Sequence, residues 1–130
     1  MANPQPRRTP GPAFRPRRGE IYLVALDPTV GHEIKKTRPA LVIQNDVTNE
    51  YSGTTIVAPM TSTVRLPLSP THVLIAEGAP SGLELTSVAQ IEQIRTVDRR
   101  RLIKQIGHLD PKAIPQLDEA IVVTLGLRQL

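Results

Sequence analysis

The stretch from Arg38 to Ser62, RPALVIQNDVTNEYSGTTIVAPMTS, holds two apolar runs on either side of a polar turn. RPALVIQ (38–44) and TTIVAPMTS (54–62) are short and rich in Val, Ile and Thr, which is the composition of strands. Pro39 fits a strand start or edge, because proline donates no ladder hydrogen bond. The second run ends at Pro59 or just beyond it. Between them NDVTNEYSGT, with Asn45, Asp46, Ser52 and Gly53, suits a turn or one short helix.

Working outward, the same grammar repeats. GEIYLVAL (19–26) is a strand with imperfect alternation, and THVLIA (71–76) is another. EGAPSG (77–82) is a turn. SVAQIEQIRTV (87–97) has apolar residues at 88, 91, 94 and 97, but its β-branched content and its place among strands favour one continuous strand. Asp98 caps a single helical turn through Arg101, and LIKQIGHL (102–109) is a further strand. DPKAIPQLDEAIVVTLGL (110–127) is the helix. Asp110 is its expected N-cap, Pro111 its first residue and Gly126 its end, with Ile114, Leu117, Ile121 and Leu125 on one face. There is no internal repeat. Many short strands and one terminal helix predict a mainly β fold with a C-terminal helix, a small and strongly bent β-barrel.

The chain has 130 residues, enough for one domain and one modest core. Its aromatic residues are Phe14, Tyr22 and Tyr51, so the core must be built from Val, Ile, Leu and Ala. With no cysteine, disulfides, thiolate chemistry and Cys-ligated zinc are excluded. No apolar run is long enough to span a bilayer, and the N-terminal arginines precede no apolar segment of a secretory signal. The expectation is a soluble, cytoplasmic protein that meets no membrane.

The net charge of +4 is unevenly spread. Residues 1–18 hold Arg7, Arg8, Arg15, Arg17 and Arg18 and no acid. Without these five, the 16 Lys and Arg become 11, against 12 Asp and Glu. The excess basicity belongs to the tail, so any anion site on the body must be local. The tail also carries Pro4, Pro6, Pro10, Pro12 and Pro16, which predicts an extended, disordered leader over residues 1–17 and a folded domain over 18–130.

Familiar catalytic constellations are scarce. His32, His72 and His108 are scattered, with no metal-binding spacing, and no glycine-rich phosphate loop or serine-hydrolase signature occurs. The remaining cluster is the loop PTVGHEIKKT (28–37), which sets His32, Glu33, Lys35 and Lys36 directly before Arg38. Pro39 biases Arg38 towards extended backbone, and a guanidinium offers a planar donor set suited to phosphate. Thr61 and Ser62 end the run APMTS, where a hydroxyl can donate to an oxyanion. Taken singly, a strand-edge arginine is usually solvated and a threonine is common in strands. The phosphate site exists if the fold brings the start of one strand beside the end of the other.

The blocks RRGEIYLVALDPTVGHEIKKTRPALVIQND, TTIVAPMTS, THV, GLELTSVAQIEQIRTVDRRRL and IGHL…LDEAIVVTLGL resemble the MazF/PemK family of type II toxins, which are mRNA interferases, in order and spacing from about Arg18 to Leu127. The resemblance implies an SH3-like barrel of the MazF/PemK/CcdB type and a homodimer. It implies a metal-independent, sequence-specific endoribonuclease with no cofactor, whose substrate is single-stranded RNA and whose partner is an acidic MazE-like antitoxin. By the family's motifs the catalytic residues are Arg38, Thr61 and Glu33, with Gly31, His32, Lys35, Lys36, Ser62 and Gln93 binding RNA. Gln93 and Arg95 lie in the EQIRTVD block as supports of the site or the dimer. Where many members carry glycine after that glutamate, this chain has Ile34, Lys35, Lys36 and Thr37, which predicts a stiffer, more cationic loop and its own cleavage motif. The alternative is a toxin of the same fold, or an inactive relative, that binds a protein such as DNA gyrase without cutting RNA.

Overall fold

The computed structural model describes residues 14–26 and 37–128. The loop residues Gly31, His32, Glu33, Lys35 and Lys36 lie outside the described residues, as do residues 1–13 and 129–130.

Seven strands form one antiparallel sheet: β1 (Glu20–Ala25), β2 (Thr37–Val42), β3 (Thr54–Thr61), β4 (His72–Ile75), β5 (Ser87–Gln90), β6 (Arg95–Asp98) and β7 (Leu102–His108). Their order is β4-β5-β3-β2-β1-β7, with β6 also paired to β3. The expected mainly β, barrel-like architecture with a terminal helix is therefore present.

β3 explains why the sheet curls. Its first half, Thr54–Val57, pairs with β6, whereas Met60 and Thr61 pair with β5. Pro59 sits in the gap between those two ladders, so its missing N–H leaves no hydrogen bond unmade on that side. This lets the strand run through Pro59 to Thr61. On the far side, β1 meets β7 with two register shifts, between Ile21 and Tyr22 and between Leu23 and Val24. Such irregularities increase local twist and help bend a sheet towards closure.

The imperfect alternation of the strands has a physical reason, because both faces are buried. Ile21, Leu41, Ala58 and Met60 face a core completed by Val73, Ile91, Leu117 and Ala120. Their neighbours Tyr22, Val42 and Val57 join Val24, Ala40, Val97 and Leu102 in a second cluster. Phe14 packs edge-on against Tyr22 at 5.2 Å between ring centroids, closing that second cluster. Residues Phe14 to Arg17, assigned to the leader by composition, thus touch the body: Arg15 pairs with Glu50 at 2.7 Å and Arg17 with Asp46 at 3.4 Å.

Two sequence expectations are corrected. Residues 87–97 do not form one strand. A single 3-10 turn, Ile91–Gln93, separates β5 from β6 and carries the chain from one half of β3 to the other. The apolar residues at 88, 91 and 97 are buried in either geometry, so their spacing does not reveal the break. Asp110 caps a separate 3-10 turn, Pro111–Ala113, accepting from the Lys112 N–H at 3.0 Å. The α-helix proper starts later, at Ile114–Thr124 (α2), with Pro115 in its first turn. Its buried residues are Leu117 and Ala120, with Ile114 and Ile121 partly packed, while Leu125 is exposed beyond the last turn. Gly126 closes the helix with φ +74°, as expected of a left-handed C-terminal residue. The turn through Arg101 is as expected: Asp98 caps Arg99–Arg101 and accepts from the Arg100 N–H at 2.8 Å.

The short helix α1 (Asp46–Tyr51) is held by a buried amide. Asn49 is 1% exposed, accepts from Thr55 Oγ1 at 2.7 Å and Gln44 Nε2 at 2.9 Å, and donates to the Gln44 carbonyl at 2.9 Å. Among the described residues no helix is long and apolar enough to cross a membrane.

Candidate active site

β2 and β3 run antiparallel, with Ala40 opposite Pro59, Leu41 opposite Ala58 and Val42 opposite Val57. Carried two residues further in the same register, this pairing sets Arg38 across from Thr61. The start of one strand and the end of the other therefore meet at one end of the sheet. There Arg38, Thr61 and Ser62 line a single cleft of about 690 Å³. Its floor is a lateral row of the sheet, Leu23, Pro39 and Met60.

Local chemistry prepares both side chains. Pro39 follows Arg38 and holds it in extended backbone at the head of β2, half-buried. Thr61, also half-buried, accepts the Thr63 N–H at 3.1 Å through its Oγ1. A hydroxyl that accepts in this way keeps its one hydrogen to donate elsewhere. A guanidinium and a hydroxyl donor in a shared cleft form an arrangement suited to the oxygens of a phosphate.

The structure does not bring every predicted residue here. Gln93 ends the 3-10 turn after β5, is exposed, and does not line the cleft. Gly31, His32, Glu33, Lys35 and Lys36 belong to the segment outside the described residues, which leads in sequence directly to Thr37 and Arg38.

The other polar clusters have structural work. Glu92 accepts from Thr71 Oγ1 at 2.8 Å and lies 3.1 Å from His72 Nε2. Burial would raise its pKa, but the hydrogen bonds to Thr71 and His72 outweigh that and hold it below the usual carboxylate value. His72 is thus a packing and pairing residue at a strand start. The Arg99 side chain donates to the Phe14 carbonyl at 2.8 Å, and Arg101 to the Ala25 carbonyl at 3.2 Å, so two cations of the DRRR run tie chain segments together. Burial and the Glu20 carboxylate push the Tyr22 hydroxyl pKa upward, so this phenol stays protonated. Among the described residues, no group of three or more His, Cys, Asp or Glu is placed to hold a metal.

The cleft has a second wall that sequence reasoning missed: Glu84 and Leu85 from the loop before β5, and Lys104 and Gln105 from β7. Glu84 and Leu85 fall in the GLELTSVAQIEQIRTVDRRRL block, where no role pointed to them, and Lys104 and Gln105 lie between blocks. Lys104 reaches the site because it pairs with Leu23, a partner 81 positions away that only the folded sheet supplies.

The chain as a whole is similar to known proteins. The family model for PemK-like, MazF-like toxins of type II toxin–antitoxin systems matches residues 17–125. The chain is 44% identical over 111 residues to Endoribonuclease EndoA of Bacillus subtilis, covering 85% of this chain and 95% of that protein. The Mycobacterium tuberculosis toxin MazF-mt6 superposes with a TM-score of 0.70 at 31% identity, over 85% of this chain and 99% of that one. The MazF-type fold also appears in the MazE–MazF crystal structure from Deinococcus radiodurans, with a TM-score of 0.70 at 25% identity over 88% and 99% of the two chains. With a family model matched over almost the whole body and a 44% identical relative that covers 85% of it, the chain belongs to the PemK-like, MazF-like toxins of type II toxin–antitoxin systems.

Proposed function

We propose that this toxin is an endoribonuclease that cuts single-stranded RNA at particular sequences without a metal ion. The observation that carries the reading is the convergence of Arg38 and Thr61 on one cleft. Its similarity to EndoA supports the same reading.

RNA supplies its own nucleophile, the 2′-OH. Its oxygen attacks the adjacent phosphorus in line, the new O2′–P bond forms, and the P–O5′ bond breaks. The products are a 2′,3′-cyclic phosphate and a 5′-OH end. A base takes the 2′-OH proton and an acid delivers one to O5′. Charge builds on the phosphoryl oxygens meanwhile, and fixed donors aimed at them lower the barrier. Arg38 and Thr61 are those donors. Glu33 is the candidate base, with His32 the lesser one, and Gly31, His32, Lys35 and Lys36 are the candidate contacts to the RNA backbone. Ser62 adds a second hydroxyl at the cleft's rim, and Gln93 contacts RNA beyond it.

The partner is an acidic, MazE-like antitoxin whose flexible segment orders against the cationic loop and the Arg38 cleft. The working unit is a homodimer in the cytoplasm. The test is to incubate purified protein with a mixed-sequence RNA in EDTA and to map the ends. Discrete cuts leaving 5′-OH ends are expected. Cutting that disappears in chelator and returns with added magnesium or zinc would overturn the metal-free mechanism.

A further inference from the structure

The second wall of the cleft is locked in place by two glycines. Gly82 lies on the loop between β4 and β5 with φ +74°, and a Cβ there would collide with the Ile106 carbonyl. Gly107 lies on β7, and a Cβ there would collide with the carbonyls of Pro80 and Ser81. Only hydrogen at both positions lets the two backbones approach this closely. The His108 N–H then donates to the Pro80 carbonyl at 2.9 Å. Ser81 is buried, shares its one hydroxyl hydrogen between the Ala76 and Gly78 carbonyls at 2.7 and 2.8 Å, and accepts the Leu83 N–H at 3.2 Å. This seam fixes the loop that carries Glu84 against the strand that carries Lys104.

Lys104 is also placed by register. Leu23 pairs with Pro39 on one side and with Lys104 on the other, so these residues form one lateral row. Two strand spacings of about 4.8 Å put Lys104 roughly 9–10 Å from Pro39 along the backbone. Lys104 thus sits two strands from the head of β2, apart from the position that Arg38 occupies. The cleft, at about 690 Å³, also exceeds what one phosphate occupies.

We propose that Lys104 and Glu84 form a second subsite for the nucleotide next to the scissile phosphate, a reading that rests on the endoribonuclease activity proposed above. Lys104 holds that nucleotide's phosphate. Glu84, an acceptor-only carboxylate, takes hydrogen bonds from the amino group of its base and so discriminates against uracil. Uracil offers no amino group, and its one edge donor, N3–H, lies between two carbonyl oxygens whose partial negative charge opposes the carboxylate.

The experiment uses full-length protein and RNA substrates randomised around one mapped site. Binding is measured across a salt series on an otherwise identical strand with 2′-deoxyribose at the cleaved position. Lys104→Ala is expected to reduce the slope of log K against log salt by about 0.7, the contribution of one phosphate contact on a single strand. It should raise KM more than it lowers the single-turnover rate at saturation, and Lys104→Arg should restore both. Glu84→Gln should leave the salt slope unchanged and improve cutting of sites with uracil at one flanking position by about tenfold, within the discrimination expected of a base-edge contact. Lys104→Ala protein with the wild-type slope would overturn the phosphate contact, and Glu84→Gln protein with the wild-type site profile would overturn the base contact. Wild-type protein that cuts no RNA would instead remove the underlying activity, so the two failures are distinct.

Discussion

Arg38 and Thr61 stand at opposite ends of their own strands but at the same end of the sheet. The antiparallel register that sets Ala40 against Pro59 leaves them facing one cleft. A polar pair 23 positions apart thereby comes to line one cleft, the two-donor site proposed above.

Arg38→Ala should remove a charge-assisted donor that acts on the transition state. Loss of one such donor costs about 2.7–4 kcal/mol, or roughly 10²–10³ in rate. Arg38→Lys should rescue poorly, because an ammonium keeps the charge without the planar, two-pronged geometry. Single-turnover cleavage of one mapped site measures this, with circular dichroism as the folding control. A folded Arg38→Ala protein within about threefold of wild type, far inside that range, would place the active site elsewhere.

Thr61→Ala should cost a similar or smaller factor. The double variant should lose well short of the product of the single losses, because two groups that grip one phosphate act as a unit. Full multiplicativity in the same assay would show that they contact different groups.

Pairing the target site into a duplex should abolish cutting. A-form RNA presents a deep, narrow major groove that side chains do not read, and it holds its sugars away from in-line attack. Equal cleavage of paired and unpaired versions of one site would contradict the single-strand requirement.

Asn49→Leu should destabilise the fold by about 2–3 kcal/mol, because it leaves the Thr55 hydroxyl and the Gln44 amide without their buried partner. Urea unfolding measures it as a lower midpoint at unchanged slope. A midpoint equal to wild type would mean that water replaces those hydrogen bonds.

Asp98 provides a pH signature. The Arg100 side chain, with the Arg100 backbone N–H, holds its pKa at about 2, below the ordinary carboxylate value. Because the folded-state pKa is depressed, this contribution is present above the unfolded pKa of about 4 and is lost as pH falls towards 2. Asp98→Asn keeps the cap oxygen but not the charge, so the stability difference from wild type should shrink between about pH 4 and pH 2. Thermal melts across that range measure it. A difference that stays constant with pH would mean that the ion pair to Arg100 contributes nothing.

Much of this was legible in one dimension. Arg38–Pro39 announced a strand head with a directed cation, and APMTS announced a strand end with a hydroxyl. Asp98 announced its cap, and Gly126 its helix end, because caps and proline or glycine effects are decided within a few residues. Strand identity was likewise local, since β-branched apolar runs bounded by turn residues fit little else. The family blocks added the site assignment, with Glu33 and its neighbours in the loop outside the described residues.

What the chain alone left open was decided at a distance. The break at Ile91–Gln93 follows from β3 serving two partners, one at each end, which no local pattern in 87–97 encodes. The delayed start of α2 is not legible because Asp110 and Pro111 suit a 3-10 turn as well as an α-helix. Gly82 and Gly107 read as ordinary turn and strand glycines until the fold presses their backbones together. Lys104 enters the cleft only through its pairing with Leu23. Sequence determines the residues whose chemistry acts over one turn or one strand. Register and closure are sums over long-range contacts, so the second wall of the cleft exists only in the tertiary structure.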